Sequence, residues 1–151
     1  MIDSVDSVIK YLNMDHQLDL IFLDIHSIRD SVHQALNNIY KERFLSKTGI
    51  EIKSITVNDI AYFFSEDNCT HIRTVDNRDY IIDFKLDELI SLLDPSLFFR
   101  TNRQLVCKFS SIQKIESYFN CRFIVELSPN WHIQSIVSRE RAFDFKSWLD
   151  R

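Results

Sequence analysis

The chain reads as a mainly β, α+β protein, and three observations carry that expectation. Near residue 45 the hydrophobic period changes from 3.6 to 2. Short alternating apolar runs then recur between Asn/Asp pairs, in a chain whose only glycine is Gly49. After that change only two segments return to helical spacing, Leu86–Leu93 and Arg139 to about Leu149. The 151 residues fit one domain, or one small domain with an appendage, and 45% hydrophobic content supplies enough apolar material for a core.

In chain order, the first expected element is a helix at Asp3–Leu12, with Val5, Val8, Ile9 and Leu12 at helical spacing. The continuous apolar run Asp19–His26 suits a strand covered on both faces. A helix at Ser27–Phe44 is predicted by the stripe Ile28, Val32, Ala35, Leu36, Ile39 and Tyr40. Together these form a helix-strand-helix appendage. Strands are expected at Ile50–Ile55, Ile60–Phe64, Thr70–Val75, Tyr80–Phe84, Gln104–Cys107, Arg122–Leu127 and Ile133–Val137. Asp76–Asp79 reads as a hairpin turn. Asn58-Asp59, Asp67-Asn68 and Asp76-Asn77 stand where turns are wanted, because Asn and Asp tolerate left-handed backbone better than other side chains. The last helix has Ser138 placed as N-cap and Glu140 in its first turn.

Several function classes find no support. Cys69, Cys107 and Cys121 are odd in number and lack CxxC spacing, so neither a disulfide framework nor a zinc knuckle is indicated. The five histidines show no metal-ligand spacing, and no metal or other cofactor is expected. No nucleophile-base pair or phosphate-cradling glycine loop points to an enzyme. No run of 18 apolar residues is present, and the acidic start MIDSVDSV is unlike a signal peptide, so a cytoplasmic location without membrane attachment is the default expectation.

The net charge of −4 is awkward for a protein that grips nucleic acid by charge alone. Residues 1–44 carry four Lys/Arg against seven Asp/Glu; by subtraction from 18 and 22, the remainder carries 14 against 15. Between Asp94 and Glu116, however, there is no acid, while Arg100, Arg103, Lys108 and Lys114 give a local charge of +4. Focused contacts are therefore favoured over diffuse attraction.

The most informative segments are FFRTNRQLV at Phe98–Val106 and IVSRERAFDFKSWL at Ile136–Leu149. Each sets arginines beside amides and hydroxyls, groups that read base edges and phosphates, and flanks them with apolar residues. With DIAYFFSEDN at Asp59–Asn68, HIRTVDNRDYII at His71–Ile82, FKLDELISLLDP at Phe84–Pro95 and SIQKI at Ser111–Ile115, they resemble a LytTR-type DNA-binding domain, the output module of many bacterial response regulators. The resemblance covers roughly Phe44 to Arg151. It implies an elongated antiparallel β fold that reaches into successive major grooves of promoter repeats with loops, commonly as a dimer. Three loops would supply contacts: Asn68 and Thr70 from the first, Asn102, Arg103 and Gln104 from the second, Ser138 and Arg139 from the third. Arg presents a planar fork matched to guanine or phosphate, and Asn pairs similarly with adenine. The chain departs from the family pattern at Cys107-Lys108, where Val-Asn is usual, and at Ile136, where proline is common. Lys108 could add a phosphate contact. Arg100 reads as a structural arginine, and Phe98, Phe99, Phe143, Phe145 and Trp148 as core or helix-packing groups.

The front end resembles part of a receiver domain, with Asp24 where the phosphoacceptor would fall. Acids for Mg²⁺ and a downstream Ser/Thr and Lys are not matched, so the expectation is an incomplete receiver without working phosphochemistry. Residues 1–26 would be this remnant, 27–44 a linker helix, and 45–151 the DNA-binding domain. The resulting expectation is a sequence-specific, phosphorylation-independent transcriptional regulator. The alternative is an interaction module that does not bind DNA and pairs with an intact regulator.

Overall fold

The computed structural model describes residues 25–37, 39–130 and 135–151. Its described residues fall into two units. One is helix α1 (Ile25–Asn37). The other is Ile39–Arg151, which carries the remaining elements.

Within that second unit the chain runs β1 (Arg43–Thr48), β2 (Glu51–Thr56), β3 (Ile60–Glu66), β4 (Cys69–Thr74), β5 (Asp79–Ile82), α2 (Leu86–Leu92), β6 (Phe98–Arg100), β7 (Leu105–Lys108), β8 (Ile112–Tyr118), β9 (Arg122–Leu127), β10 (Ser135–Val137) and α3 (Arg139–Leu149). Seven strands form one sheet in the order β2-β1-β5-β4-β3-β7-β6; three form a second in the order β10-β9-β8. Every pairing is antiparallel. The architecture is thus the mainly β, α+β fold that the change of period predicts.

Strand β3 divides the interior. Ile60 and Phe63 lie in a cluster with Phe44, Ile72, Val106 and the α2 residues Leu86 and Leu89. Ala61, Tyr62 and Phe64 lie in another with Leu105, Val125, Val137, Phe145 and Trp148. A register shift between Ile60 and Tyr62 lets residues three apart share a face, as a bulge does. The large sheet is therefore covered by α2 on one face and by the small sheet with α3 on the other. Phe44 and Phe63, both fully buried, meet edge to face at 5.2 Å. Each such burial contributes about 1.5–3 kcal/mol. Across the second cluster Phe99 lies 5.3 Å from Phe145, and Trp148 donates its indole N–H to the Pro95 carbonyl at 2.9 Å. The Tyr62 hydroxyl donates to the Pro129 carbonyl at 2.9 Å.

Several expectations need correction. The helix predicted over Ser27–Phe44 ends at Asn37, and Arg43 opens β1. Phe44 and Ser46 are buried while Leu45 and Lys47 are exposed, so period 2 already rules here. Tertiary packing of Phe44 overrides a helical stripe in which Ile39 and Tyr40 fell by coincidence. Strands β6 and β8 were not predicted at all. The helix predicted at Asp3–Leu12 lies outside the described residues, as does Asp24 with most of the strand predicted at Asp19–His26; Ile25 and His26 are helical. Phe143 is 79% exposed rather than packed. Among the described residues no helix is long and apolar enough to cross a membrane.

The turns use the residues expected of a glycine-poor chain. Asp67 and Asn68 both have positive φ, 50° and 61°, and close a two-residue hairpin between the paired Glu66 and Cys69. That is the type I′ pattern, whose twist matches the flanking strands. Asn77 also has positive φ, 63°, but Asn58-Asp59 sits instead in a 3-10 turn. Between β8 and β9, Asn120 and Cys121 adopt φ of 59° and 57°.

The three thiols occupy two kinds of environment. Cys69 and Cys121 are exposed; Cys107 is fully buried, and burial pushes its thiol up to about 12. In a thiol-reagent titration at pH 8, Cys69 and Cys121 should react promptly, and Cys107 only after denaturant is added. Prompt reaction of all three would contradict this packing of β7.

Candidate nucleic-acid interface

Antiparallel pairing gathers the loops at one end of the domain. Phe64 pairs with Leu105, so β3 ends where β7 begins, and the Ser65 N–H donates to the Gln104 carbonyl at 2.9 Å. The β3–β4 turn and the β6–β7 loop are thereby neighbours. In the small sheet Val137 pairs with Phe123 and Tyr118 with Arg122, which sets the β8–β9 turn level with the start of α3. The two sheets are joined at the same end. The Ser138 N–H donates to the Thr101 carbonyl at 3.2 Å, and the Asn102 side-chain amide donates to the Ile136 carbonyl at 2.9 Å.

The β6–β7 loop is held from inside. Asn102 accepts the Gln104 N–H at 2.8 Å, a local side-chain turn that suits Asn. The Arg100 guanidinium donates to the carbonyls of Asn102 and Arg103, each at 3.1 Å, and ion-pairs with Asp87 at the start of α2. Arg100 is thus a structural arginine, as the sequence suggested. Arg141 donates to the Arg100 carbonyl at 3.4 Å, which gives it a place in the same scaffold. Asn102 is therefore a positioning residue in the free protein, with donor and acceptor both engaged.

What this scaffold presents is an open depression of about 730 Å³. Its walls bring together Asn102, Arg103, Gln104, Ser138 and Arg139, five residues expected from the second and third loops. They also include Asn120, Arg122 and Arg141, which sequence reading did not single out. Glu140 is the one acid among the lining residues, against four arginines. Arg103 and Arg139 are exposed, and their guanidinium groups make no hydrogen bond or ion pair with any described residue. Ser138 precedes α3 with extended backbone (φ −63°, ψ 152°) but makes no side-chain cap bond; the Arg141 N–H donates to the Ser138 carbonyl at 3.0 Å, and the N–H groups of Arg139 and Glu140 stay open to an anion. Free guanidinium forks, backbone donors and low local acidity make the surface suited to a polyanion whose edges accept hydrogen bonds.

The other expected contact residues stand apart from this depression. Asn68 is exposed in the β3–β4 turn and, with Thr70, lines a different depression beside Leu45 and Ile81. Thr70 is only 7% exposed and pairs with Ile82, which leaves its side chain little access to a ligand. Lys108 belongs at the far end of β7, about 10 Å of strand from Leu105. Its ammonium donates to the carbonyls of Val57 at 2.8 Å and Asn58 at 3.3 Å, and partial burial lowers its pKa. Lys108 does not line the depression that holds Arg103 and Arg139. Among the described residues no group of three or more His, Cys, Asp or Glu could hold a metal ion.

Comparison with known proteins bears on the family and the fold. The family model described as the LytTr DNA-binding domain matches residues 51–150. The transcriptional regulatory protein YpdB of Escherichia coli K12 is 30% identical over 93 residues, covering 62% of this chain and 37% of YpdB. An uncharacterized response regulatory protein of Vibrio cholerae is 28% identical over 110 residues, covering 71% of this chain and 41% of its own length. The chain therefore spans less than half the length of these curated relatives. Among solved structures, a LytTr DNA-binding domain from Bacillus cereus superposes with a TM-score of 0.64 at 19% identity, over 74% of this chain and 99% of that one, a likeness of fold. The chain belongs to the LytTr DNA-binding domain family.

Proposed function

We propose that the protein is a sequence-specific DNA-binding transcriptional regulator of the response-regulator type, acting in the cytoplasm and without catalytic chemistry of its own. The observation that carries the proposal is the juxtaposition of unpaired Arg103 and Arg139 in one depression, on a rigid loop scaffold, in a chain of this family. Arg103 and Arg139 are the principal readers. Gln104 and Asn68 are available to base edges or phosphates, Asn102 and Ser138 set the geometry, and the N-terminus of α3 meets a phosphate. The relatives are named as a transcriptional regulatory protein and a response regulatory protein, which supports the same reading. Binding would be to promoter repeats, with two copies or an intact regulator alongside.

The residues invoked for DNA reading all belong to Ile39–Arg151 and are remote in sequence from Asp24, which supports independence from phosphorylation. A second reading has one observation in its favour. Ile28 and Val32, one turn apart on α1, are 40% and 47% exposed, a face that an intact regulator could cover. If this second reading is right, the purified chain binds no duplex selectively and instead pairs with another regulator.

Two outcomes check the proposal. In a fluorescence-anisotropy selection against duplex libraries, the wild-type chain should enrich a defined repeat. Arg103→Ala and Arg139→Ala should each lose about 1–3 kcal/mol of discrimination, confined to one or two base positions apiece. Wild-type binding that is equal for all duplexes would contradict sequence reading. Separately, a phosphate mimic such as beryllofluoride, or the substitution Asp24→Asn, should leave the affinity for that repeat unchanged. A several-fold tightening with the mimic that Asp24→Asn abolishes would contradict phosphorylation independence.

A further inference from the structure

We propose that the β8–β9 turn is an additional DNA-contacting element, in which the Arg122 guanidinium, with Asn120 beside it, takes a backbone phosphate of the duplex. The proposal rests on the DNA-binding reading above and adds a segment to the three loops that the family resemblance implies.

The placement comes from strand register. Val137 pairs with Phe123, so one step further along the antiparallel ladder Arg122 stands level with Ser138, the residue that opens α3. Tyr118 lies across from Arg122 on β8, and the three residues between them make a tight turn in which Asn120 and Cys121 are both left-handed. That geometry aims the turn past the end of the sheet, and Asn120 and Arg122 line the same depression as Arg103 and Arg139.

The electrostatics of Arg122 point outward. Arg73, Arg78 and Arg100 all have carboxylate partners, Asp79, Asp76 and Asp87. Arg122 is partly buried, yet its guanidinium makes no hydrogen bond or ion pair with any described residue. A partly desolvated cation without a counter-ion is costly, and an arriving anion relieves that cost. Arg103, in the β6–β7 loop, and Arg139, the first residue of α3, are exposed, whereas Arg122 sits on a strand and is less exposed. A group recessed in this way meets the sugar-phosphate wall of a groove before it meets base edges, and phosphate contacts position a protein without reading sequence.

The test is a salt titration of duplex binding by the full chain, using the repeat selected for wild type and a scrambled duplex. Arg122→Ala, Arg122→Lys and, as a remote basic control, Arg78→Ala on the β4–β5 turn are compared, with thermal melts confirming that each is folded. Arg122→Ala should weaken both duplexes by the same factor, at least about tenfold. The slope of log affinity against log salt should shrink by about 0.9, one phosphate's worth of counterions. Arg122→Lys should keep the slope, and Arg78→Ala should match wild type. Unchanged affinity and slope in Arg122→Ala would overturn the proposal, and so would a loss confined to the selected repeat. Failure of wild type itself to bind any duplex would overturn the DNA-binding reading too, and the wild-type arm alone reveals that case.

Discussion

The reading end of this protein is organised around Thr101 and Asn102, two residues whose backbone and side chain fasten two sheets together. The Thr101 carbonyl accepts the Ser138 N–H, and the Asn102 amide donates to the Ile136 carbonyl while its oxygen accepts the Gln104 N–H. Thr101 is fully buried, so its bond to Ser138 forms where water competes little and leaving it unmade would cost about 1–3 kcal/mol. Arg100 supports them from below, through the carbonyls of Asn102 and Arg103 and its ion pair with Asp87. This clasp, with the Arg141 bond to the Arg100 carbonyl and the Phe99–Phe145 contact, fixes the separation of the β6–β7 loop and the start of α3. Arg103 and Arg139 thereby share the common frame that base recognition requires.

The pairing pattern of the arginines resolves the apparent conflict between a net charge of −4 and a polyanionic ligand. Arginines that build the fold are matched with aspartates. Those that face the depression are left with one acid, Glu140, among them. Local field rather than overall charge then governs binding. A protein built this way holds DNA weakly until several contacts form together, which favours selectivity over general adhesion.

Much of the fold was legible because β-strands buried on one face alternate, as Cys69–Thr74 does throughout and Arg122–Leu127 does over Val125–Leu127. Where the alternation breaks, sequence reading failed for identifiable reasons. In β8 a register shift between Ile112 and Lys114 puts Ile112 and Ile115, three apart, against the same cluster. That spacing reads as helix or as nothing. Strand β6 is three residues long, too short to show a period. Strand β1 was absorbed into a helical stripe because Ile39 and Tyr40 continue the spacing of α1 by chance. The grouping of Asn102, Arg103, Ser138 and Arg139 around one depression was legible, since local motifs carry these residues. Arg122 was not, since its place in the depression arises only when β9 pairs with β10. Lys108 lies outside the depression for the opposite reason, as proximity in sequence to Arg103 hides a strand's length between them.

The central claim is that four chain segments form one DNA-reading face. Amide chemical-shift mapping during titration with the selected duplex tests it most directly. The account predicts shifts concentrated at residues 66–68, 101–104, 119–122 and 138–141, with β1, β2 and the β4–β5 turn unmoved. Shifts centred on the outer face of β1 and β2, with the four segments silent, would contradict it.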